Sequence, residues 1–138
     1  MTPPIKTPVQ IIQELIAIHT IRKEAGERLK HTQLAAADAA TLTAASRQSE
    51  QFITELMEEL SGFGDGVSAD VSRDSAYHTL WANALENIDT MNAQAASDTF
   101  RSMENALAES YRQYLDTETE LPDSIREMLT AQAGKLIV

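Results

Sequence analysis

The chain has 138 residues, a length that one domain fills, and 43% of them are hydrophobic, enough for a core without covalent staples. The absence of cysteine removes disulfides, thiolate zinc sites, iron–sulfur clusters and cysteine nucleophiles together. Twenty-one acidic residues against eleven basic ones give a formal charge of -10, a field that repels phosphate backbones and anionic lipid, so neither nucleic acid nor membrane is expected as a partner.

Residues 1–7 read as a short tail. They lack a basic stretch followed by an apolar signal core, and no later run approaches the roughly 18 apolar residues of a membrane span, so a cytoplasmic protein is expected. The first helix is predicted to open at Thr7-Pro8, with Thr7 as cap and Pro8 at the first helical position, and to run to about His31. Ile11, Leu15, Ile18, Ala25 and Leu29 recur at spacings of three, four and seven, flanked by Ile12 and Ile16, which describes one buried face; Arg22 interrupts it. A second helix is predicted from Thr32, its cap, through Leu42, Ala45, Ser49, Phe52, Leu56 and Leu60. Gly62 is its expected stop, because glycine accepts the left-handed conformation that closes helices.

Residues 62–72 hold three of the five glycines and form the longest predicted connection, long enough to cross a bundle. A third helix, capped by Ser72 or Asp74, carries Tyr77, Leu80, Trp81, Ala84, Leu85, Ile88 and Met91. Asn92 separates it from a fourth with Ala96, Phe100, Met103, Leu107, Tyr111 and Tyr114. Pro122 starts the last, with Ile125, Leu129 and Leu136 facing inward. No alternating strand pattern or repeat occurs. The chain therefore reads as one all-α domain over 1–138, an up-down four-helix bundle with one additional crossover or covering helix.

Carboxylate-bridged metal bundles take a Glu-x-x-His pair from each of two helices. Here the three histidines are preceded, three positions earlier, by Ile16, Arg28 and Ser75, so no such pair exists and no cofactor is expected. Glu24 with Glu27, and Glu55 with Glu58, read as solvated faces. Glu104 is a weak metal candidate, since it shares a helix face with Phe100, Met103, Leu107 and Tyr111. The stronger reading pairs it with Arg22 as a partly buried ion pair between the first and fourth predicted helices, whose loss costs roughly 1–4 kcal/mol. His19, beside the first stripe, reads as a hydrogen-bonded core histidine. Gly62-Phe63-Gly64-Asp65-Gly66 follows a helix and lacks the spacing of a phosphate loop, and no Gly-x-Ser-x-Gly is present. No catalytic residue is assigned.

The order of signals, Ile11 to Leu29, Ser46-Arg47 with Phe52 and Glu55-Leu56, Tyr77-His78-Thr79-Leu80-Trp81, Glu104 with Tyr111, Leu121-Pro122 and Gln132, resembles a bacterial family of unknown function described as ferritin-like four-helix-bundle proteins. That resemblance spans nearly the whole chain and implies a ferritin-like bundle built from helices near 8–31, 33–61, 93–118 and 122–137, with 73–91 crossing or covering it. An alternative assignment puts the third helix in the bundle and the fifth outside. The expected role is non-enzymatic, through protein interaction or in stress response, with the apolar end Leu136-Ile137-Val138 completing the core or joining a homodimer. The alternative is a carboxylate-bridged iron or manganese oxidase or storage protein.

Overall fold

The computed structural model describes residues 7–30, 36–64, 93–116 and 121–136, with 79, 82, 83 and 86 as isolated positions. Among them the chain is all-helical: α1 (Pro8–Lys30), α2 (Ala36–Ser61), α3 (Ala93–Leu115) and α4 (Asp123–Lys135). Thr79, Ala82, Asn83 and Glu86, inside the third predicted helix, are helical as well, while Tyr77, Leu80 and Trp81 lie outside the described residues.

The start of α1 is closed reciprocally. The Gln10 amide donates to Thr7 Oγ1 at 3.2 Å, and the Thr7 amide donates to Gln10 Oε1 at 2.9 Å. This capping box satisfies two backbone donors that the first turn would otherwise leave open. The expected Thr32 cap of α2 lies outside the described residues. That helix ends at Ser61, directly before Gly62 as expected, but the left-handed conformation falls elsewhere: the amides of Gly62, Phe63 and Gly64 bond back to Glu59, Leu60 and Ser61, tightening the last turns, and the positive φ of 110° belongs to Gly64. Because the helix winds down through three-residue bonds, the left-handed position arrives two residues late. Pro122 likewise sits one position ahead of α4 rather than in its first turn.

Each helix buries one stripe. Ile11, Ile12, Leu15, Ile16, Ile18, Ile21 and Ala25 come from α1, and Leu42, Leu56 and Leu60 from α2. Met103, Leu107 and Tyr111 of α3 and Ile125 and Leu129 of α4 join them in one cluster, with Leu121. Full burial of a Leu or Ile side chain stabilises by roughly 1.5–3 kcal/mol, so this cluster supplies the main driving force. Leu136 packs against its edge, half-buried; Ile137 and Val138 lie outside the described residues.

Side-chain contacts give the helix directions. Gly26, Arg22 and His19 of α1 meet Leu42 and Ser46, then Ser49, then Phe52 of α2, so the two run antiparallel. Arg22 meets Glu104 and His19 meets Tyr111, which makes α3 antiparallel to α1. Tyr111 meets Gln132 while Leu115 meets Arg126, and Gln48 meets Lys135 while Glu59 meets Ser124; α4 is antiparallel to both α3 and α2. It follows that α2 and α3, consecutive here, are parallel. The up-down alternation breaks once at this point, so the end of α2 and the start of α3 lie at opposite ends of a layer as long as the 26-residue α2, about 39 Å at 1.5 Å per residue.

Candidate functional site

His19 and Arg22, three residues apart on α1, lie on the same inward face. Arg22 is 1% exposed and Glu104 2%. Burying a guanidinium costs several kcal/mol unless its donors are met, and here four hydrogen bonds meet them. Nε donates to Glu104 Oε1 and Nη2 to Glu104 Oε2, both at 2.8 Å, a two-point fork between α1 and α3. Nη1 donates to Ser49 Oγ at 2.9 Å and Nη2 to Gln48 Oε1 at 3.1 Å, both on α2. Gln48 in turn donates from Nε2 to the carbonyl of Lys135 at the end of α4.

The imidazole of His19 is fully buried between α2 and α3. Its Nδ1 lies 3.0 Å from Ser49 Oγ and its Nε2 2.7 Å from the Tyr111 hydroxyl, with the Phe52 ring edge-on at 5.3 Å. Tyr111 donates to Gln132 Oε1 at 2.6 Å, and Gln132 Nε2 reaches Glu55 Oε1 at 3.4 Å. His19, Arg22, Ser49, Glu104, Tyr111 and Gln132 are all buried, so four helices contribute polar groups to one buried centre. Burial first, and then the charge of Arg22, hold the His19 pKa well below its ordinary value of 6.5. A second tie between α1 and α3 is the Tyr114 phenol, whose pKa is raised by burial, by the Glu14 charge and by its hydrogen bond to Glu14.

Arg22 and Glu104 are thus brought together between α1 and α3, and the pair is fully rather than partly buried. Both oxygens of Glu104 are occupied by that fork, and among the described residues no group of three or more His, Cys, Asp or Glu is placed to hold a metal ion. Glu24, Glu27 and Glu58 are exposed, whereas Glu55, read from sequence as solvated, is half-buried at the edge of the network. Its position follows from Gln132, which draws it inward. His31 and His78 lie outside the described residues. Ser49 and Gln48 were missed as polar partners: Ser49 stands in a core stripe between Ala45 and Phe52, where a small residue reads as filler.

Comparison with protein-family models, with curated proteins and with solved structures returns no match in any of the three. Among the described residues, no helix is long and apolar enough to cross a membrane.

Proposed function

We propose that the chain is a ferritin-like helical bundle without enzymatic activity, acting through its surface by binding protein, a second copy of itself first. The ferritin-like reading is supported by the directions of the helices, antiparallel pairs joined through one parallel step, which is the pattern of a bundle with a single long crossover. The observation that carries the functional reading is the Arg22–Glu104 fork. In a carboxylate-bridged bundle the inward glutamate serves a metal; here a guanidinium supplies the positive charge and occupies both oxygens. Met57 and Phe63, 47% and 40% exposed at the end of α2, are large apolar groups left on the surface and support an interaction role.

Two measurements test this. Sedimentation velocity over a hundredfold concentration range should show reversible self-association, weakened by Met57→Lys with Phe63→Lys; a strict monomer throughout removes the second copy as partner. Elemental analysis after titration with iron and manganese should find no stoichiometric metal. Metal bound at one or two equivalents, and lost in Glu104→Gln, would overturn the non-enzymatic reading in favour of the oxidase or storage alternative.

A further inference from the structure

The polar centre has a direction, and its ends set it. Arg22 has only donors and the Glu55 carboxylate only acceptors. Gln132 must therefore turn its amide nitrogen toward Glu55 and its oxygen toward Tyr111. The Tyr111 proton is committed to Gln132, so the hydroxyl accepts from His19, and Nε2 carries the imidazole proton. Nδ1 is then bare, and Ser49 donates to it while accepting from Arg22 Nη1. Every hydrogen bond from Arg22 to Glu55 points the same way, and the one from Ser49 to Nδ1 requires a neutral His19.

We propose that His19 is a pH-sensitive latch between α1 and α2, opened by one proton on Nδ1. The groups around it decide this. From α1 it faces the Arg22 cation. From α2 come the Ser49 hydroxyl and the Phe52 ring, from α3 Tyr111, with Glu104 beyond Arg22, and from α4 Gln132. Of the two carboxylates in the network, Glu104 is already forked to Arg22, and Glu55 is separated from the imidazole by Tyr111 and Gln132. Among the described residues, an imidazolium here gains no anion of its own. Its new N–H would meet Ser49 Oγ, which already accepts from Arg22, so two cationic donors would converge on one oxygen and the serine proton would lose its acceptor. Relief comes from separating α1 from α2: His19 and Arg22 belong to α1 and the crowded Ser49 to α2, whereas Tyr111 and Glu104 of α3 still accept from Nε2 and Arg22.

The sign follows from linkage. The folded protein binds this proton less readily than the unfolded chain, whose histidine titrates near 6.5. The stability tied to a neutral His19 is complete above that pH and falls on acidification, the folding constant dropping by up to tenfold per pH unit until the folded protein itself takes the proton.

The test uses the full chain carrying His31→Gln and His78→Gln, which leaves His19 the lone histidine of the three. Urea unfolding from pH 7.5 to 5.0 should show a folding constant that falls at least fivefold below pH 6.5. Adding His19→Gln, which keeps one acceptor and one donor but does not titrate, should abolish most of that fall. Equal slopes with and without His19 would overturn the proposal. Should the His19→Gln protein fail to fold, that comparison is replaced by nitrogen-15 resonance of the lone imidazole: a neutral ring protonated on Nε2 from pH 7.5 to 6.0 is expected, and a charged ring or an Nδ1–H tautomer at pH 7 overturns it. Hydrogen exchange then reads the location, with amides of α2 losing protection on acidification more than those of α3 and α4; uniform loss would refute the latch.

Discussion

At the scale of the residue, Arg22 spreads one guanidinium over two neighbouring helices, reaching Glu104 on α3 and Ser49 and Gln48 on α2. Removing one member of a buried pair leaves the other charge unmet, and Arg22→Met or Glu104→Gln is expected to cost roughly 3–5 kcal/mol. The double mutant should cost clearly less than the sum, because each single loss contains the same orphaned partner. Arg22→Lys should fare little better than Arg22→Met, since an ammonium cannot fork both carboxylate oxygens while also reaching Ser49. Urea titration of the four proteins checks the cycle, and strict additivity would mean that the pair is not coupled. Both charges stood out in the sequence because each interrupts an apolar stripe. Ser49 did not, since a buried serine and a buried alanine look alike until a donor is found beside them.

At the scale of the element, α1 and α2 approach closely where small residues face each other. A Cβ built on Gly26 would lie 2.5 Å from Ser46 Oγ and 3.3 Å from the Leu42 carbonyl oxygen. Glycine inside a helix costs about 1 kcal/mol relative to alanine, so its presence here reflects the neighbour rather than the helix. Ser46 lies between the two, donating to the Lys23 carbonyl at 3.3 Å. Gly26→Ala is expected to push Ser46 out of that bond and to destabilise by about 1 kcal/mol net, the clash outweighing the gain in propensity. Combining it with Ser46→Ala removes the closest contact, and the double variant should melt above the Gly26→Ala single variant. A higher melting temperature for the single variant than for the wild type would show that the helices part without cost.

At the scale of the whole molecule, a charge of -10 is spread over a surface whose carboxylates outnumber their partners. The ion pairs seen there, Lys23 with Glu50 and Arg112 with Glu109, are solvated and contribute little. Self-repulsion is the larger surface effect. Raising ionic strength from about 10 to 150 mM shortens the screening length from roughly 30 to 8 Å and should raise the melting temperature by a few degrees. Because the Arg22–Glu104 fork is shielded by the core, the same increment is expected in Glu104→Gln. A melting temperature that falls with salt would mean that surface attraction, not repulsion, dominates.

The helical class was legible in the amino-acid order, because the three-and-four recurrence of Ile11, Leu15 and Ile18 or of Leu42, Ala45 and Ser49 is a local property that one turn of helix imposes. The Thr7 cap was equally local, and so was the oddity of Arg22 and Glu104 within apolar seams. Only tertiary structure decided that α2 and α3 run parallel, that Gly26 marks a close approach, and that Ser49, His19, Tyr111 and Gln132 form one directed chain. The physical reason is that a hydrogen bond's direction is set by what lies at its far end. Here those ends, Arg22 on α1 and Glu55 on α2, are linked through Ser49 and His19 and then through Tyr111 of α3 and Gln132 of α4, which the linear order does not bring together.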